Sequence, residues 1–160
     1  MIRLASNKDS AEIIAIIDEV FREYGDRIFL EGVDKDLLDI ERNYLQKNGA
    51  FWVYISHGKI VGTVAVVNDE NHCAELKRVY LKKNVRGSGI ADKMLKTVYE
   101  WCRNQGVTKL YFWSDIRFTR GHQFYEKHGF KKGDIRSMND GYAPYKEYYF
   151  EKTPVVSEKN

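Results

Sequence analysis

The stretch Glu75-Leu76-Lys77-Arg78-Val79-Tyr80-Leu81, carried by Lys82-Lys83-Asn84-Val85-Arg86 into Gly87-Ser88-Gly89-Ile90-Ala91, decides how this chain is read. Ala74 to Leu81 has the make-up of a strand. Beyond the glycines, Ile90, Met94, Leu95, Val98, Trp101 and Cys102 recur at helical spacing until Gly106, and Thr108 to Trp113 is apolar enough for a buried strand. A strand, helix, strand unit needs a crossover connection. The strands near residues 78 and 111 therefore lie parallel in one sheet, with the helix against its face. The backbone N–H groups of residues 85–91 then sit at a helix N-terminus without internal acceptors, which is where anions bind. Glycine allows close approach of a phosphate, and Arg86 would add positive charge. A Gly-Ser-Gly before a helix also occurs as a plain tight turn, so the bare motif leaves both readings standing.

Working outward toward the N-terminus, Asn68 to His72 reads as a turn. Phe51 to Ile55 and Ile60 to Val67 are strand runs joined through Ser56-His57-Gly58-Lys59, a hairpin. A helical pattern from about Asp34 carries Leu37, Leu38, Ile40, Tyr44 and Leu45 on one side until Asn48-Gly49 stops it. Before it, Ile13, Ile14, Ile16, Ile17, Val20, Phe21 and Tyr24 form another, ended by Gly25, and Ile2 to Ala5 reads as a short strand. On the C-terminal side a helix near Thr119 to His128 stops at Gly129, and Phe130 to Ile135 and Tyr145 to Lys152 close the chain as strands. One domain over residues 1–152 and a flexible tail over 153–160 follow.

Composition agrees with a globular body: 43% of residues are hydrophobic and 31% charged. No window reaches the roughly 18 to 20 apolar residues of a membrane span, and MIRLASNKDS lacks the apolar core of a secretion signal, so the expected address is the cytoplasm. Cys73 and Cys102 lack the spacing of a disulfide framework or a zinc site, and no metal is expected. A net charge of +3 is too small to argue for nucleic acid. A P-loop would need Gly-Lys-Ser/Thr, which is absent, and a dinucleotide fingerprint would need a small residue where Asp92 stands.

The run from Arg86 to Ala91 instead resembles the Arg-x-x-Gly-x-Ala coenzyme A loop of the GNAT family of N-acetyltransferases, with Arg86, Gly89 and Ala91 on its fixed positions. The preceding strand matches, and Phe124-Tyr125-Glu126-Lys127-His128-Gly129-Phe130 is similar to the family's later Tyr-Glu-Lys-x-Gly-Phe element. One departure stands upstream, where Phe118-Thr119-Arg120-Gly121-His122 keeps the family's small residue, as Gly121, but not its Asn. The resemblance implies an α/β (α+β) fold with a mixed, mostly antiparallel sheet flanked by helices. A central parallel strand pair would splay to hold acyl-CoA.

It implies, further, that the backbone of Val79, Tyr80 and Leu81 pairs with the pantetheine arm. The amides of Arg86, Gly87, Ser88, Gly89, Ile90 and Ala91 would hold the pyrophosphate, with Arg120 and Lys127, and Lys82 and Lys83, steering the adenosine 3′-phosphate. Tyr125 matches the tyrosine the family places near the CoA sulfur, and a phenol can donate a proton to a thiolate; packing beside Phe124 and Phe130 is the bland alternative. Glu75 is the candidate base, since a carboxylate among apolar neighbours can take the amine's proton through water, although a strand Glu is more often a solvated residue.

The acceptor surface is expected over the first two helices, the loop Gly25 to Asp34 and the segment Arg136 to Tyr148. There Glu23, Asp26, Glu31, Asp34 and Asp36 would attract a cationic amine. The implied activity is direct acetyl transfer from acetyl-CoA to an amine of a small molecule or peptide, with homodimer formation open and neither nucleic acid nor membrane as partner. Two other functions fit parts of the pattern. A non-catalytic acyl-CoA-binding regulator would keep the glycine loop. An RNA-associated module would use Lys77, Arg78, Lys82, Lys83 and Arg86.

Overall fold

A computed structural model describes residues 1–155. Seven strands form one sheet: β1 (Ile2–Leu4), β2 (Ala50–Ser56), β3 (Lys59–Asn68), β4 (Cys73–Leu81), β5 (Lys109–Asp115), β6 (Lys131–Met138) and β7 (Tyr145–Lys152), in the order β1-β2-β3-β4-β5-β7-β6. Every neighbouring pair is antiparallel except β4 and β5. The parallel pair is joined by helix α3 (Ile90–Gln105), as the sequence pattern requires.

Each face of the sheet carries its own core. Helix α1 (Ser10–Arg22) buries Ile13, Ile16, Ile17 and Val20, the first three against Phe51, Val53, Ile60 and Ala65. On the other face α3 buries Met94, Leu95, Val98 and Cys102, and helix α4 (Thr119–Lys127) adds Tyr125. At about 1.5–3 kcal/mol for each large aliphatic side chain taken fully out of water, these stripes hold the helices to the sheet.

Two expectations need correction. The single helix expected from Asp34 to Asn48 is broken into a 3-10 turn at Lys35–Leu38, a one-turn helix α2 (Ile40–Asn43) and a second 3-10 turn at Leu45–Lys47. The break lies at Asp39, whose φ of −147° and ψ of 82° are not helical and whose carboxylate accepts the Arg42 N–H, a local bond that competes with the helical ladder. The chain also remains packed past residue 152. Val155 is buried, and its N–H donates to the Thr108 carbonyl at 3.0 Å; the rest of the expected tail, 156–160, lies outside the described residues.

Candidate functional site

β4 and β5 pair only at Cys73 with Lys109, Ala74 with Leu110 and Glu75 with Tyr111. Past that point the two strands part. β4 kinks at a bulge, where the register against β3 skips between Ala65–Lys77 and Thr63–Tyr80. Arg78 sits in the bulge with φ 56°, a left-handed conformation that a residue with a β-carbon adopts at a cost. The buried Thr63 hydroxyl donates to the Arg78 carbonyl at 2.7 Å and holds the bulge from behind.

The Arg78 side chain fixes it from the front. Its guanidinium donates to Asp34 at 2.9 Å, to both oxygens of Asp36 at 2.5 and 3.1 Å, and to the Val33 carbonyl at 3.3 Å. Asp36 also accepts from the buried Tyr44 hydroxyl. Burial works to raise the Asp36 carboxyl, but the charge and hydrogen bonds of Arg78 hold it below the ordinary carboxylate value. The segment after α1 is thereby tied to the kink in β4. Arg117 makes a second tie, donating to Asp115 at 2.6 and 2.9 Å, to Asp26 at 3.1 Å and to the Tyr24 carbonyl at 3.0 Å.

The result is a cleft of about 300 Å³ between the parted strands. Glu75 lies at its apex, half-buried, with no hydrogen bond from its carboxylate among the described residues. Val79 and Tyr80 line the β4 wall, and Phe112, Trp113 and Tyr125 face them. Burial raises the Tyr80 phenol to about 12. Tyr125 both packs and lines: its ring centroid is 4.3 Å from that of Phe112 and 5.6 Å from that of Phe130. Burial drives its phenol well above the ordinary tyrosine value, so it stays protonated at neutral pH.

β4 runs on through Leu81 into the glycine loop. Gly87 and Gly89 have φ of 79° and 88°, a backbone that glycine takes without strain. The N–H groups of Gly87, Ser88, Gly89, Ile90, Ala91 and Asp92 donate no hydrogen bond among the described residues, and the first internal bond is Lys93 N–H to the Gly89 carbonyl at 3.2 Å. A row of free donors at the start of a 16-residue helix is an arrangement whose electrostatics favour an anion. Arg120 is exposed, with its guanidinium beside Gly87. Lys127 is exposed too, and nothing among the described contacts ties it to the loop.

Arg86 does not face the loop as expected. Its guanidinium forms a two-bond fork with Glu23 at 2.7 Å and donates to the Leu81 carbonyl, while its backbone N–H donates to the Lys83 carbonyl. A forked pair with a carboxylate satisfies the guanidinium, so Arg86 braces the loop against α1. The acidic surface changes in the same way: Glu23, Asp26, Asp34 and Asp36 all pair with arginines, leaving Glu31 without an ion pair among the described residues. These commitments also remove Arg78 and Arg86 from the basic patch that motivated an RNA partner.

A family model described as the acetyltransferase (GNAT) family matches residues 14–130. The chain belongs to the GNAT acetyltransferase family. It is 35% identical over 98 residues to the N-acetylaspartate synthetase of Xenopus tropicalis, a match covering 60% of this chain and 36% of that protein. The chain thus spans about a third of that relative's length, and under half of the next two curated relatives. A GNAT-family acetyltransferase of Staphylococcus aureus Mu50 superimposes with a TM-score of 0.82 at 25% identity, covering 96% of this chain and 98% of its own. An aminoglycoside 6′-N-acetyltransferase solved with coenzyme A shares the fold, with a TM-score of 0.73 at 11% identity, covering 100% of this chain and 99% of its own. The mixed sheet with its splayed parallel pair is therefore the GNAT fold. Among the described residues, no helix is long and apolar enough to cross a membrane.

Several residues that shape this site escape a linear reading. Arg117 reaches Tyr24 and Asp26, more than 90 positions away in the chain. Arg136 lies over the Trp113 ring and bonds Glu147. No local spacing signals either contact.

Proposed function

We propose that the chain transfers an acetyl group directly from acetyl-CoA to an amine held in the cleft between β4 and β5. One observation carries this: the same strand that parts from its parallel neighbour ends in a loop whose successive amides have no internal acceptor. The free amides from Gly87 to Ala91 suit a pyrophosphate, with Arg120 alongside. The edge of β4 facing the cleft through Val79, Tyr80 and Leu81, unpaired by any strand and with only the Leu81 carbonyl taken, by Arg86, suits the amide groups of a pantetheine arm. The thioester then lies between Glu75 and Tyr125.

In the proposed reaction the amine nitrogen attacks the thioester carbonyl carbon, the N–C bond forms and the C–S bond breaks. Glu75 takes the proton that the ammonium must lose, through water, and Tyr125 returns a proton to the departing thiolate. No metal takes part. Cys73 and Cys102 are both free thiols, which supports a reducing, cytoplasmic setting.

Calorimetric titration with acetyl-CoA, repeated on Gly89→Glu, tests the cofactor site. The substitution puts a side chain on a backbone with φ 88° and a negative charge among the anion-binding amides. Saturable binding to the parent chain and none to the variant is the expected result. Absence of binding to the parent chain would end the proposal, whereas binding without thiol release from any amine would favour a non-catalytic regulator.

A further inference from the structure

Asp92 brings a negative charge to the start of α3, where the free amides favour a bound anion. With Gly89 as the N-cap of α3, Asp92 is the third residue of the helix. From that position an acidic side chain can reach back and accept the N–H of the N-cap residue. The chain does so elsewhere: Asp9, third after its own cap, accepts the Ser6 N–H at 2.9 Å. At α3 the same bond would put a carboxylate on the amides that suit a pyrophosphate. It is not made. Among the described residues no N–H of the loop donates to Asp92, and a β-carbon placed on Gly89 would meet nothing within 4 Å, so the space before the amides is open.

The Asp92 carboxylate turns instead to His128, the C-cap of α4. His128 Nε2 lies 2.7 Å from Asp92 Oδ1, and Nδ1 lies 2.8 Å from the Phe124 carbonyl oxygen. Carboxylate and carbonyl both accept, so the two bonds are made together only when both ring nitrogens carry protons. The ring is then an imidazolium, at a helix C-terminus where positive charge is favoured. Phe124 flanks it, with ring centres 4.3 Å apart and planes tilted by 33°. The Asp92 side chain is 51% exposed, so the pair adds little to overall stability. Its consequence is where the carboxylate points.

We propose that His128 is a positioning residue for the cofactor: it holds the Asp92 carboxylate away from the amides at the start of α3 and keeps them free for a phosphate. Without the imidazole, Asp92 turns back, caps the Gly89 N–H and competes with the incoming anion. The identity of that anion rests on the acetyl-CoA reading above.

His128→Phe keeps a ring against Phe124 and removes both nitrogens, while Asp92→Ala removes the competing carboxylate. Two measurements compare the parent, each single variant and the double variant at about pH 6, below the ordinary histidine value of about 6.5. In the free chain, hydrogen exchange of the Gly89 amide followed by NMR should be slower in His128→Phe than in the parent and return to the parent rate in the double variant. In calorimetric titration, His128→Phe should weaken acetyl-CoA by about two- to thirtyfold, the range of a capping hydrogen bond that the phosphate must displace. In the Asp92→Ala background the same change should have no effect. A packing role for His128 alone would weaken binding equally in both backgrounds.

Unchanged Gly89 exchange in His128→Phe, weakening of less than about twofold, or equal weakening with and without Asp92 overturns the proposal. The expected exchange pattern in a parent chain that binds no acetyl-CoA supports the role of His128 and counts against the acetyl-transfer reading, so the two failures are told apart.

Discussion

Replacing Arg78 with Met keeps most of the side-chain volume but removes the charge that neutralises Asp34 and Asp36. Arg78 and Asp34 have side chains only 9% and 2% exposed, so the stranded carboxylate has little access to water. Asp34 retains the Phe29 N–H and Asp36 retains the Tyr44 hydroxyl, which stabilise the carboxylates without cancelling their charge. Breaking one partner out of a buried pair costs about 3–5 kcal/mol. At roughly 2–4 °C per kcal/mol for a chain of this size, Tm should fall by about 6–20 °C. Thermal unfolding followed by circular dichroism, with urea titration for the free energy, measures it.

The double variant Arg78→Met with Asp34→Asn should recover part of that loss, because the more deeply buried of the two carboxylates left without a partner is then neutral and only Asp36 stays charged. The pH dependence carries a sign as well. Asp36 is held below its ordinary 3.8 in the folded state, so its contribution is present above that value and is lost as pH falls through the lower folded pKa. In Arg78→Met this acid loss should shrink. A destabilisation below about 1 kcal/mol, or strictly additive single and double variants, would refute the claim that Arg78 anchors the kink.

Tyr125→Phe should lower kcat by about 10²- to 10⁴-fold with the acetyl-CoA KM nearly unchanged; an unaltered kcat would return Tyr125 to a packing role alone. Glu75→Gln should lower kcat by about 10²- to 10⁴-fold, and an unaltered kcat would remove Glu75 as base. Burial, with a lesser contribution from Lys132, holds the His122 imidazole below its ordinary 6.5. Its folded state therefore resists protonation, so stability should be full above that pH and decline as pH falls through the window beneath it. His122→Gln should flatten that part of a stability-versus-pH curve.

The order of elements was legible from the chain because it rests on local physics. The helical stripe from Ile90 to Cys102 between two strand-forming runs forces a crossover, and with it the parallel β4–β5 pair. Gly87 and Gly89 announce a positive-φ turn at a helix start for the same reason. The break at Asp39 was not legible, because Leu37, Ile40 and Tyr44 keep helical spacing across it and only the side-chain bonds of Asp39 and Asp36 decide that the backbone turns twice.

The charged groups show the same division. Composition alone presented Glu23, Asp26, Asp34 and Asp36 as an acidic face and Arg78 and Arg86 as a basic one. Folding pairs Glu23, Asp34 and Asp36 with Arg86 and Arg78 across 42 to 63 positions of sequence, and Asp26 with Arg117 across 91. A charge reads locally as an available charge, and only the tertiary structure decides whether it is spent. By itself the sequence determined the order of the strands and the main helices and how the central ones must connect, since each follows from spacing along a few consecutive residues. The tertiary structure alone decided where β4 parts from β5 and that Arg86 braces the loop against α1, because each depends on which distant group arrives beside it.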